Sequence, residues 1–231
     1  MKNAFESNLN SKIEALYSIF QRYRLYSAFH DRCSPLGERQ ALAKRLASTP
    51  LRETSATDVA VYSFKALTTM GDGKDYKHFL PRMFELVSIS REWYCHMTLL
   101  PKKLNELRWL QWPREEIEAI KEFIDAQWDY ILHSYPWHSS ATAFLLEISA
   151  EFGALQKHLT KWENCKNEAS LLHFIEALKH EYGGLEEFDN WLLNEANKNR
   201  LEQSYQTYET SELSVTILEA LELFDFRRFS E

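Results

Sequence analysis

Residues 75–86 read DYKHFLPRMFEL. Tyr76, Phe79, Leu80, Met83, Phe84 and Leu86 recur at the spacing of one helix face, and Lys77, His78, Arg82 and Glu85 fill the gaps. Pro81 falls in the middle. A proline inside an uninterrupted helix costs about 3 kcal/mol. The pattern therefore predicts two short helices meeting at a corner, with Pro81 in the first turn of the second. Gly71-Asp72-Gly73, just upstream, is the clearest turn in the chain. Asp75, Lys77, His78 and Arg82 are expected to lock this corner through charge-assisted hydrogen bonds. The rival reading pairs Asp75 with Arg82 so that His78 faces a pocket.

Working outward, helical spacing dominates. Leu9, Ile13, Leu16, Phe20 and Tyr23 predict a first helix over 9–29. Ser34-Pro35 predicts a second helix running to Ala47, and Thr49-Pro50 ends it. Ser55 with Asp58 makes a capping-box-like start for Val59, Tyr62, Ala66 and Leu67. Pro101 and Pro113 open helical patterns over 101–111 and 113–133. Ser140 is expected to cap one helix carrying Phe144, Leu145, Ile148, Phe152, Leu155 and Leu159 inward. Further helices are expected at 168–182, at 185–208, and after Thr210 or Ser211 with Val215, Leu218, Leu221 and Phe224 as its apolar members. No alternating β-branched run competes. The expected fold is all-α, a single domain over 1–231, built as an irregular bundle or a HEAT-like stack of nine or ten helices.

Composition agrees. Hydrophobic residues make up 45% and charged residues 26% of the 231 positions, which excludes a disordered chain. Six glycines and six prolines are too few for a turn-rich β protein. The net charge of −7 is uneven: residues 1–180 hold 23 basic and 22 acidic side chains, whereas 181–231 hold 4 and 12. The acidic C-terminal part repels nucleic acid and anionic membrane and attracts a basic protein. Three cysteines without CxxC spacing, a polar N-terminus and the lack of a long apolar run lead to an expectation of a soluble, cytoplasmic protein.

Catalytic signatures are absent. There is no phosphate-cradling glycine loop, no GxSxG and no CxxC. His173, Glu176 and His180 share a helix face but lack the HExxH or paired ExxH spacing of metal sites, so they read as a polar surface. Cys95 and His96 are adjacent and point about 100° apart on a helix, which prevents a dyad between them. His133 and His138 flank Pro136-Trp137 in a loop. Gly71-Asp72-Gly73 with Lys74, Lys77 and His78 offers N–H groups and cations to an anion. Trp109 and Trp112 share one face before Pro113. No catalytic residue, metal or cofactor is expected.

The stretch KALTTMGDGKDYKHFLPRMFEL, 65–86, resembles an uncharacterised bacterial all-α family with an ALTTWGD…DFKHFLPRLLEL-like core. A second element of that pattern maps onto Trp109, Trp112, Pro113, Glu116, Ile120, Phe123 and Trp128. Met70 replaces a Trp of the pattern, and the acidic part has no counterpart there. The resemblance implies a bacterial cytosolic setting and no particular activity. It marks Asp75, Lys77, His78, Pro81, Arg82, Trp109 and Trp112 as family positions with a structural role. By analogy with small helical bacterial proteins, the expected function is non-enzymatic: an immunity protein that neutralises a toxin with a basic domain. Glu186, Glu187, Asp189, Glu195 and Glu202 would steer that partner, and Trp191, if exposed, would anchor it. The alternatives are a small-molecule or anion-binding protein or enzyme centred on 75–82, and a HEAT-like scaffold for peptides.

Overall fold

Two carboxylates start the helix that contains the DYKHFLPRMFEL stretch. A computed structural model of the chain, describing residues 2–25, 29, 33, 37–89, 99–180 and 185–230, is all-helical; its described residues hold no strand, only isolated bridges from Met70 to Cys33 and Ala66. The first seven helices are α1 (Lys2–Phe20), α2 (Gly37–Ser48), α3 (Ala56–Lys65), α4 (Gly73–Ile89), α5 (Leu99–Glu106), α6 (Arg114–Leu132) and α7 (Ala141–Phe144). They are followed by α8 (Leu155–Asn164), α9 (Glu168–Lys179), α10 (Glu186–Leu192), α11 (Glu195–Tyr208) and α12 (Leu213–Ser230). The described residues separate into two compact units, Met1–Gln127 and Trp128–Glu231. The division falls inside α6, far from the point near 181 where the charge turns acidic.

In the first unit, Asp72 Oδ1 accepts from the N–H groups of Lys74 (2.7 Å) and Asp75 (3.1 Å), while Asp75 Oδ2 accepts from Asp72 N–H (2.9 Å). This reciprocal cap satisfies donors that a helix start leaves open. The chain reaches it through Gly71 at φ +70°, where a Cβ would lie 2.9 Å from Asp75 Oδ2.

From that cap α4 runs through Pro81 without a corner, which corrects the expected pair of short helices. The burial of Tyr76, Phe79, Leu80, Met83, Phe84, Leu86 and Val87 explains why. Each large apolar side chain taken from water contributes roughly 1.5–3 kcal/mol, so the flanks together outweigh one proline. Phe79 packs on Tyr62 with ring centroids 4.4 Å apart, and Phe84 packs on Phe123 at 4.8 Å.

α1 buries Leu9, Ile13, Leu16 and Phe20 as expected but starts at Lys2 and stops at Phe20. Tyr23, placed in that helix by its spacing, instead gives its carbonyl to His78. Ser55 caps α3 by accepting from Asp58 N–H (3.1 Å). Pro101 lies in the first turn of α5, which ends at Glu106 rather than 111, because Arg108 takes a left-handed φ of 50°. Ser34, Pro35, Cys95 and His96 lie outside the described residues.

In the second unit, Ser140 caps α7 through Ala143 N–H. The expected long helix does not continue: a π-helical segment spans Leu145–Ser149 and Gly153 (φ +68°) turns the chain before α8. Even so, Phe144, Leu145, Ile148, Phe152, Leu155 and Leu159 are all buried. Trp128 lies at the centre of this core, stacked on Phe144 and on His158, with its indole N–H donating to the His158 carbonyl (3.1 Å). The predicted 185–208 run is two helices, α10 and α11, joined where Asn194 caps the second by accepting from Asn197 N–H.

Candidate functional site

Among the residues singled out in the sequence, Lys77 meets both Trp112 and Glu116. Lys77 Nζ lies 2.8 Å from Glu116 Oε2 and donates to the Tyr23 hydroxyl (3.1 Å), which donates in turn to Glu116 Oε1 (2.6 Å). Arg22 approaches the same carboxylate at 3.4 Å. The ammonium also sits 3.7 Å from the Trp112 ring centroid, a cation–π contact. His78 Nδ1 is 2.7 Å from the Tyr23 carbonyl oxygen, an acceptor, so this nitrogen carries the proton. Four segments therefore converge: the residues after α1, the second turn of α4, Trp112 and the first turn of α6.

Asp75 and Arg82 do not meet, so the rival pairing is not formed. Asp75 belongs to the helix cap. Arg82 donates to Glu85 (2.6 Å) and, through Nε and Nη2, to the Thr54 carbonyl at 3.2 and 3.1 Å. Glu85 also accepts from the Tyr17 hydroxyl (2.6 Å), so this second clamp holds α1, α4 and residue 54 together. Pro81 and Trp109 are buried; Trp112 is half-buried, and its indole N–H donates to the Leu107 carbonyl (3.0 Å).

The electrostatics suit holding more than reacting. Burial, and then the bond to Glu116, raise the Tyr23 phenol to about 12, which keeps it protonated. Burial lowers the His78 pKa, so its neutral ring persists below the usual histidine range. Glu116 already accepts from Lys77 and Tyr23 and faces Arg22. The anion site imagined at Gly71-Asp72-Gly73 is also taken, because Asp72 fills the N–H groups of Lys74 and Asp75 that an anion would use. A depression of about 460 Å³, lined by Tyr23, Asp72, Gly73, Lys74, Lys77 and Leu107, lies beside the cluster.

The remaining candidates separate by burial. His173 is buried, with Nε2 at 3.1 Å from the Ile131 carbonyl and 3.0 Å from that of Ser134, and with Nδ1 3.7 Å from Glu176. Among the described residues no group of three or more His, Cys, Asp and Glu is placed to hold a metal. His133 Nδ1 faces the Asp129 carbonyl and the His138 ring packs on Trp137. Trp191 is only 7% exposed and packs against Trp162, Phe174 and Phe188, so it serves the core and is no surface anchor. Glu186, Glu187, Glu195 and Glu202 are exposed and Asp189 is half-buried. Glu195 pairs with Arg228 of α12.

α12 holds the feature that spacing concealed. Ile217, Ala220 and Phe224 are buried, whereas Val215 and Leu218, expected inside, are 60% and 42% exposed. Phe226 and Phe229 are 70% and 85% exposed. At 100° per residue these four span an arc of about 80°, opposite the buried three, with Glu222 between them. The helix is thus apolar on two sides, and no single periodic stripe reveals which one faces the core. Nearby, Lys198 pairs with Asp225 (2.7 Å) and Lys179 approaches Glu219 at 3.8 Å.

No family model, curated protein or solved structure matches the chain. No helix among the described residues is long and apolar enough to cross a membrane.

Proposed function

We propose that this chain is a non-enzymatic protein-interaction protein that receives a basic partner on the outer face of α12. The observation that carries this reading is the aligned exposure of Val215, Leu218, Phe226 and Phe229 on the acidic part of the chain. Large apolar side chains lined up along a helix give a partner a dry centre to bury, and a surrounding excess of carboxylates steers a basic surface towards it. Glu186, Glu187 and Glu202 supply steering charge from α10 and α11, and Glu222 lies within the face itself. In its specific form the proposal is an immunity protein that blocks a toxin with a basic domain, in the bacterial cytosol that the 65–86 resemblance implies. The occupied groups around Lys77 and His78 favour this reading over a small-molecule site or enzyme at 75–82.

The test is co-purification with a basic toxin encoded beside this gene. The complex is expected to weaken at least about tenfold when Phe226 and Phe229 become serine, since two central anchors carry such losses. Reversing Glu202 and Glu222 to lysine should slow association and flatten its salt dependence. Full protection by the double serine variant would overturn the proposal.

A further inference from the structure

Cys165 occupies the link between α8 and α9, half-buried and free of any disulfide. Its Sγ accepts a hydrogen bond from Asn167 Nδ2 (3.0 Å) and lies 3.8 Å from His133 Nε2. The orientation of both partners follows from their other bonds. Asn167 Oδ1 accepts from Ser170 N–H (2.8 Å) as the cap of α9, so the amide nitrogen must face the sulfur. His133 Nδ1 lies 2.8 Å from the Asp129 carbonyl oxygen, which only accepts; the ring proton therefore sits on Nδ1, and the neutral ring turns the lone pair of Nε2 towards Sγ. A nucleophile, a base within reach and a third group orienting the base are the parts of an activated thiol.

A separate observation concerns charge. Arg200 is 8% exposed, and its hydrogen bonds go to neutral oxygens: the carbonyls of Trp162 (3.1 Å) and Cys165 (2.9 Å) and the Ser170 hydroxyl (2.8 Å). Burial pulls its guanidinium down to about 10, and negative charge on Cys165 and Glu163 acts against that pull. A thiolate at Cys165 places an anion beside this buried cation. A cleft of about 320 Å³ reaches the link, lined by Asn164, Lys166, Asn167 and Arg200 among others. Among the described residues, Glu163, Lys166 and Arg200 are charged groups beside the link, and Asp129, whose carbonyl faces His133, has its carboxylate paired with Lys161.

We propose that Cys165 is a reactive thiol, deprotonated by His133, that hydrogen peroxide oxidises to a sulfenic acid. His133 Nε2 takes the thiol proton. The thiolate attacks one peroxide oxygen, forming the S–O bond as the O–O bond breaks, and the departing hydroxide takes the proton from His133 as water. Sulfur is oxidised and peroxide reduced, with no other reactant. The Asn167 side-chain amide and the Arg200 charge stabilise the thiolate that attacks. This assignment is independent of the partner surface on α12.

Alkylation of the native wild-type chain by limiting iodoacetamide, followed cysteine by cysteine by peptide mass mapping across pH, tests the first step. The rate at Cys165 is expected to reach its midpoint below about 8.5, the ordinary thiol value. His133→Gln is expected to move that midpoint upward and slow the pH 7 rate about tenfold. A wild-type midpoint at or above the ordinary value overturns the proposal without recourse to any variant. Peroxide followed by a sulfenic-acid trap should label Cys165 in wild type and leave Cys165→Ser unlabelled at that position. Facile alkylation with no trapped sulfenic acid overturns the oxidation step.

Discussion

Lys77 Nζ and Glu116 Oε2 stand 2.8 Å apart, and the Glu116 side chain has no solvent exposure. The pair joins α4 to the first turn of α6, and Tyr23 links both to the end of α1. Removing the ammonium leaves a buried carboxylate with only a phenol and a more distant guanidinium. Breaking a buried pair from one side costs about 3–5 kcal/mol. Lys77→Met should therefore lower unfolding free energy in urea by an amount near the low end of that range, since Tyr23 remains. Adding Glu116→Leu should cost less than the two single losses combined, because no charge is then stranded. Strictly additive losses would mean that the two side chains are not coupled.

His78 makes stability depend on pH. Its folded pKa lies below the ordinary 6.5, chiefly through burial, with the Tyr23 carbonyl and Asp75 opposing. The unfolded chain thus binds a proton before the folded one does. The contribution of His78 is fully present above 6.5 and is lost as pH falls from there through the folded value. Urea midpoints measured downward from neutral pH should fall more steeply for wild type than for His78→Asn, whose amide retains a donor for Tyr23. Parallel curves would remove His78 as the cause.

The turn before α4 allows a sharper test. Gly71 has φ +70°, and a Cβ there would meet Asp75 Oδ2 at 2.9 Å. Gly71→Ala should destabilise by about 1–2 kcal/mol for the left-handed conformation, and further for the disturbed cap. Asp72→Ala, which removes acceptors for Lys74 and Asp75 N–H, should cost about 1 kcal/mol. Thermal unfolding of both variants measures these costs. A neutral Gly71→Ala would contradict the turn geometry.

What the sequence discloses depends on the range of each interaction. Ser55 and Ser140 are legible as caps because a cap bond spans three residues, and the same spacing of Asp72 and Asp75 holds a cap that the corner reading overlooked. Pro81 misleads because its cost belongs to an isolated helix, whereas α4 is held by side chains that bury against α1 and α3. Lys77 stands out in the sequence as a cation on an apolar helix face, yet its partner Glu116 lies 39 residues on and is brought there by packing alone. The same holds for His133 and Cys165, 32 residues apart. Trp191 is conspicuous in an acidic stretch, but only the aromatic neighbours supplied by α8, α9 and α10 show that it is core.

The register of α12 gives the last prediction, and it separates folding from binding. Phe224 has no exposure, while Phe226 and Phe229 are largely in water. Phe224→Ala should cost about 3–5 kcal/mol, the range for emptying a buried aromatic site. Phe226→Ser and Phe229→Ser should each stay within about 0.5 kcal/mol of wild type, as exposed positions do. Chemical denaturation measures all three. The opposite ranking would place the helix in the register suggested by Val215 and Leu218, with those residues inside. That outcome would also remove the apolar face on which the proposed partner rests. With the expected ranking, the two serine variants become clean reagents: folded proteins that differ from wild type only on that face, so that any loss of partner affinity belongs to the surface itself.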